Sequence, residues 1–129
     1  MTELNILVVE DVPTAAMIAS IILKKLGCNV TIAETGEVAI SQFKEKKFDL
    51  IFMDLGLPDI DGRTVTVEMR KLEKAAHCVH TPIVALTAHA GNELKNTIAD
   101  FGMDGFFSKP LTTHLARDIL NHYVKKDKE

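Results

Sequence analysis

Residues 5–11 read Asn5-Ile6-Leu7-Val8-Val9-Glu10-Asp11, a nearly unbroken apolar run that stops at two adjacent carboxylates. A half-exposed strand would alternate apolar with polar residues. Ile6 to Val9 do not, which predicts a strand covered on both faces, as in a parallel sheet with helices above and below. Two further runs repeat the pattern. Leu50-Ile51-Phe52-Met53 is apolar throughout and meets Asp54, and Pro82-Ile83-Val84-Ala85-Leu86 meets Thr87.

Working outward from these runs, strands are expected at 5–9, 29–33, 50–53, 82–86 and 105–108, and helices at 14–26, 36–46, 63–76, 92–101 and from just after Pro110 to about 124. Apolar residues recur at helical spacing in each helical segment. The inward positions are Ile18, Ile22 and Leu26 in the first, Ala39, Ile40 and Phe43 in the second, and Val65, Met69 and Leu72 in the third. They are Leu94, Ile98 and Phe101 in the fourth, and Leu115, Ile119 and Tyr123 in the last. Gly27 and Gly102 stand where helices should stop. Five βα units with right-handed crossovers give a doubly wound α/β sheet of flavodoxin-like topology, strand order 2-1-3-4-5. The 129 residues suit one domain with its core at about 4–124 and a charged tail at 125–129.

Composition excludes several function classes. Fifteen Lys and Arg against 18 Asp and Glu give a net charge of −3, with no basic surface for nucleic acid. No apolar run approaches the ~20 residues that span a bilayer, so direct membrane contact is not expected. Met1-Thr2-Glu3 leads straight into the first strand without a signal-peptide pattern, and Cys28 and Cys78 show no zinc-type spacing. Both points favour a cytoplasmic chain with reduced thiols. The His77-Cys78-Val79-His80 stretch reads as a solvated loop.

Sheets of this kind bind ligands at the carboxyl ends of their strands. Glu10 and Asp11 follow the first strand, Asp54 the third, Thr87 the fourth, and Lys109-Pro110 the fifth. Three crowded carboxylates repel one another unless a cation sits among them or their pKa values rise. An all-oxygen donor set suits Mg²⁺, where zinc would call for His or Cys. Three carboxylates, one divalent ion and the Lys109 ammonium cancel, leaving a pocket ready for an anion. A phosphoryl group arriving there meets the ion, Lys109, the Thr87 hydroxyl and Asp54 as a carboxylate nucleophile.

Taken together and in order, four motifs resemble those of receiver domains of two-component response regulators. They are Val8-Val9-Glu10-Asp11, Met53-Asp54-Leu55-Gly56-Leu57-Pro58-Asp59-Ile60-Asp61-Gly62, Leu86-Thr87-Ala88, and Gly102-Met103-Asp104-Gly105-Phe106-Phe107-Ser108-Lys109-Pro110. The resemblance covers nearly the whole chain and is greatest to receivers of hybrid histidine kinases. It implies that Asp54 is the phospho-acceptor, and that Glu10, Asp11, Asp54 and the Gly56 carbonyl hold Mg²⁺. It also implies that Lys109 pairs with the phosphoryl group, Thr87 is the switch hydroxyl and Phe106 the switch aromatic. The implied partner is a histidine kinase or histidine phosphotransfer protein, with the chain either standing alone or forming the cytoplasmic part of a membrane-bound hybrid kinase. Such a domain is not an enzyme beyond its own phosphorylation and dephosphorylation. Phe106 has no hydroxyl, so a switch there rests on ring packing, and Gly56 places no side chain over the phosphate.

Two other readings fit less well. An Asp-nucleophile phosphatase would need a second aspartate where Gly56 stands. A flavodoxin-like small-molecule binder would need a Ser, Thr and Gly-rich first loop, where Glu10 and Asp11 would repel a flavin phosphate. His89, two residues beyond Thr87, is a candidate for shaping water entry. On the first helix, Thr14, Met17 and Ile21 form a second stripe, expected to face solvent beside the pocket and to contact the phosphodonor.

Overall fold

The structure is a computed structural model and describes residues 3–88 and 98–124. Strand β1 (Asn5–Val9) leads to helix α1 (Pro13–Lys25), β2 (Asn29–Ala33), α2 (Gly36–Glu45) and β3 (Leu50–Asp54). Then come α3 (Gly62–Ala76), β4 (Ile83–Thr87), a 3-10 turn (Ala99–Phe101), β5 (Gly105–Ser108) and α4 (Thr113–Tyr123). The five strands form one parallel sheet in the order β2-β1-β3-β4-β5, the expected doubly wound topology.

Strand residues alternate between two cores, which is why the strands are apolar throughout. Ile6, Val8, Leu50, Phe52, Val84 and Leu86 point to the layer containing α1 and α4, where they meet Ala19, Leu23, Ala116 and Ile119. Leu7, Val9, Ile51, Met53, Ile83 and Ala85 point to the opposite layer, against Ala39 of α2 and Val65 and Met69 of α3. Register pairs Val9 with Met53 and Asp54 with Leu86, so the ends of β1, β3 and β4 lie side by side.

Element boundaries fall within one to three residues of the sequence reading, apart from the fourth helix. Its residues 92–97, with Leu94, lie outside the described residues, and Ala99–Phe101 forms a 3-10 turn. The face of α1 differs too. Ala16, Ala19 and Leu23 are its buried residues, Ile22 and Leu26 pack partly against the core, and Ile18 is 50% exposed. The helix is apolar nearly all round, so periodicity alone left its orientation open, and the alanines let it lie close to the sheet. In α3, Thr66 and Glu73 are buried beside Val65 and Met69, while Leu72 is only half-buried.

A polar clasp accounts for Glu73. Arg70 donates to Glu73 at 2.8 Å, to the Thr81 carbonyl at 2.8 Å, to the Gly102 carbonyl at 2.9 Å and to Asp104 at 3.0 Å. The other Glu73 oxygen accepts from the Thr81 N–H at 2.8 Å. His80, in the 77–80 loop, lies 2.8 Å from Asp104. This network binds the C-terminal half of α3 to the segments that enter β4 and β5, at the sheet edge opposite the carboxylates. Cys28 is buried and Cys78 exposed, and the two form no disulfide.

Candidate functional site

Each acidic residue of the site is placed by the end of a strand. The Glu10 N–H donates to the Ala33 carbonyl at 2.9 Å, so pairing with β2 continues one residue past β1 and fixes where the Glu10 side chain starts. Asp54 is the last residue of β3 and 8% exposed, and Glu10 is 5% exposed. One carboxylate oxygen each from Glu10, Asp11 and Asp54 lie within 4.8 Å of one another. All the donors are hard oxygens, which fits a Mg²⁺-type cation with water completing its shell.

Lys109 enters from the end of β5. Its ammonium lies 2.7 Å from Glu10 and 3.4 Å from Asp54. Its N–H donates to the Thr87 carbonyl at 2.9 Å, joining the ends of β4 and β5. The second Glu10 oxygen accepts from the Val12 N–H at 3.1 Å, and Asp54 accepts from the Gly56 N–H at 3.1 Å. Burial raises the pKa of Glu10, and the nearby Asp54 charge adds to this; the Lys109 and Val12 contacts only partly offset it. For Lys109 burial alone would lower the pKa, but the hydrogen bond it donates to Glu10 and the two carboxylate charges outweigh it and raise it. The ammonium is therefore firmly charged, whereas Glu10 carries its charge at some cost.

Beside the acids lies a cleft of about 200 Å³ bordered by Thr14, Ile18, Lys109 and Pro110. Thr87 is half-buried at the end of β4, and Phe106 is half-buried against the α2 and α3 layer. Gly56 is exposed, with open space where a Cβ would stand. On α1, Thr14 is exposed, Met17 is 60% and Ile21 53% exposed. His89 lies outside the described residues.

Residues 6–121 match the response regulator receiver domain family. The chain belongs to that family. As a receiver, it is 35% identical over 117 residues to the sensor histidine kinase GacS of Pseudomonas protegens, covering 90% of this chain and 13% of GacS. It is 38% identical over 121 residues to hybrid signal transduction histidine kinase M of Dictyostelium discoideum, covering 92% of this chain and 5% of that kinase. The receiver thus spans a small part of the length of these relatives. Among solved structures, it is similar to the receiver domain of a Pseudomonas aeruginosa sensor histidine kinase that has a magnesium ion coordinated in its active site cleft. That match has a TM-score of 0.83 and 31% identity, over 95% of this chain and 98% of the other.

The fold brings Glu10, Asp11, Asp54 and Lys109 into one group and sets Gly56, Thr87 and Thr14 around it. Two features of this receiver were not anticipated from its sequence. The nearest partner of Lys109 is Glu10, because the extra methylene of Glu over Asp carries its carboxylate to the ammonium. Asp59 accepts hydrogen bonds across the loop from the start of α2, at 2.8 Å from Gly36 and 3.0 Å from Glu37. The signal available for Asp59 was the helix start at Thr35-Gly36, whose first N–H groups outnumber the acceptors of one threonine.

Proposed function

We propose that this receiver accepts a phosphoryl group from a phosphohistidine onto Asp54, in a Mg²⁺-dependent reaction within a two-component phosphorelay. The observation that carries this reading is the convergence of Glu10, Asp11 and Asp54 within 4.8 Å, with the Lys109 ammonium 3.4 Å from Asp54. Glu10, Asp11, Asp54 and the Gly56 carbonyl would hold the cation, which supplies positive charge opposite the phosphoryl oxygens. An Asp54 oxygen forms a bond to phosphorus as the bond from phosphorus to the donor imidazole breaks. A donor ring protonated on its other nitrogen leaves as neutral imidazole, keeping the electron pair. Lys109 neutralises a phosphoryl oxygen, and the Thr87 hydroxyl donates to another.

On phosphorylation Thr87 moves toward the phosphoryl group and Phe106 shifts into the space it leaves. That biases a two-state equilibrium on the face of β5 and α4; the fourth helix expected to share in it lies largely outside the described residues. The donor is a histidine kinase or histidine phosphotransfer protein that docks on Thr14, Met17 and Ile21. The receiver acts in the cytoplasm, standing alone or as part of a hybrid kinase, folds as one domain with its core at 4–124, and contacts neither nucleic acid nor membrane directly. It catalyses no reaction besides its own phosphorylation and dephosphorylation.

The test is incubation with acetyl phosphate and Mg²⁺, followed by intact mass. One phosphoryl group should be gained, and none by Asp54→Asn or in EDTA. Normal uptake by Asp54→Asn would show that the acceptor lies elsewhere.

A further inference from the structure

We propose that Asp59 is a positioning residue for the cation site, because it ties the loop that carries Gly56 to the N terminus of α2. The inference rests on the reading of the Gly56 carbonyl as a metal ligand. Residues 55–61 join β3 to α3, and the loop is closed at its base by the Gly62 N–H donating to the Leu55 carbonyl at 3.2 Å. Leu57 and Ile60 are half-buried against the α2 and α3 layer, whereas Gly56, Pro58 and Asp59 are exposed. Leu55 and Leu57 pack on either side of Gly56, and the Gly56 N–H donates to Asp54 at 3.1 Å, whereas the Pro58-Asp59 part of the loop is exposed.

Asp59 supplies a further hold, on the exposed side of the loop. One of its oxygens accepts from the Gly36 N–H at 2.8 Å and the other from the Glu37 N–H at 3.0 Å. Both donors are at the positive end of a helix, and a carboxylate makes stronger hydrogen bonds there than a neutral acceptor. Gly36 allows this approach. A Cβ on it would lie 2.7 Å from a Val65 methyl and 3.2 Å from the Ile60 Cβ, so a side chain would hold loop and helix apart. Asp59 lies three positions beyond Gly56, a tether of roughly 10 Å at full extension. Fixing Asp59 therefore restricts where the Gly56 carbonyl can sit.

The alternative is that Asp59 serves only as a cap of α2. That helix has its own cap, since Thr35 accepts from the Val38 N–H at 3.1 Å, and this bond touches nothing in the loop. Thr35→Ala is thus a control that weakens α2 and leaves the tether intact.

The experiment measures the Mg²⁺ dissociation constant by calorimetry, with Mn²⁺ binding by electron paramagnetic resonance as a second readout, together with melting curves. It compares wild type, Asp59→Ala, Asp59→Asn and Thr35→Ala. Loss of a supporting contact behind a ligand commonly weakens metal binding by about tenfold or more. Asp59→Ala should raise the Mg²⁺ dissociation constant by about that factor. Asp59→Asn, with one acceptor oxygen left, should fall between it and wild type, and Thr35→Ala should lower the melting temperature with binding unchanged. Unchanged binding in Asp59→Ala, or equal weakening in Thr35→Ala, would overturn the inference; if Asp59→Ala does not fold, unchanged binding in Asp59→Asn would do so. Absence of Mg²⁺ binding by a folded wild type would instead overturn the reading of the site, and this inference with it.

Discussion

Replacing Gly62 with Ala should damage the acceptor and the fold by separable amounts. Gly62 begins α3 and packs against the end of β3. A Cβ there would overlap the Asp54 carbonyl oxygen and lie 3.0 Å from the Leu55 Cα and 3.1 Å from the Asp54 carbonyl carbon. Relaxed carbon contacts are about 3.5–4.0 Å, so the backbone must part by roughly 0.5–1 Å. The atoms in the way belong to the backbone of Asp54, the proposed acceptor, and of Leu55, and no rotamer change relieves them. Overpacking of this kind costs about 1–3 kcal/mol, which for a chain of this size lowers the melting temperature by roughly 3–15 °C. Displacing a reacting group by about 1 Å costs on the order of 100-fold in rate. Labelling by acetyl phosphate, measured at a temperature where circular dichroism shows the variant folded, should therefore slow by about ten- to a hundredfold. A variant that melts earlier but labels at the wild-type rate would refute the claim that Gly62 sets the acceptor position. Unchanged melting and labelling would refute the steric argument altogether.

Met17→Glu and Ile21→Glu should slow transfer from a phosphohistidine protein about tenfold or more, and much more than labelling by acetyl phosphate, since they place charge in the proposed docking stripe; equal slowing with both donors would assign these side chains to the fold. Arg70→Ala should cost about 3 kcal/mol in urea unfolding, because it strands the buried Glu73 beside Asp104; a loss within experimental error would mean that Glu73 is satisfied by Thr81 alone. The pKa of Asp59 is held below the ordinary 3.8, first by the Gly36 N–H, against an opposing effect of burial, with the Glu37 N–H adding to the lowering. Its stabilising effect is thus present above the unfolded value and lost as pH falls through the folded one. The melting difference between wild type and Asp59→Ala should be constant near neutrality and shrink as pH drops below 3.8; a difference that grows with acid would reverse the sign of the argument.

The sheet was legible because its strands are buried on both sides, so Ile6 to Val9 and Leu50 to Met53 read as apolar runs that end abruptly in carboxylates. That same change marks the pocket, and Glu10, Asp11, Asp54 and Lys109 could be named from it. The face of α1 was not legible. Ile18 and Ala19 are adjacent, and the small side chain faces the sheet because close approach of the helix outweighs the larger apolar area of isoleucine. Contacts between distant residues were equally hidden. Arg70 meets Asp104 and Asp59 meets Gly36 only after the crossovers have formed, and no local spacing encodes either pair.

The order in which the site's residues occur along the chain has a consequence during synthesis. Glu10 and Asp11 leave the ribosome first, Asp54 near the middle, and Lys109 only after the remaining strands have been made. A nascent chain that has completed β3 carries all three acids without the ammonium that balances them, and β5, which delivers it, is the last strand to be made and lies at the edge of the sheet. The group at 2.7 Å from Glu10 therefore forms late, by a contact between residues nearly a hundred positions apart. Unfinished and truncated chains ending before β5 carry the aspartate but not its counter-charge, so the competent pocket is confined to chains whose sheet is complete.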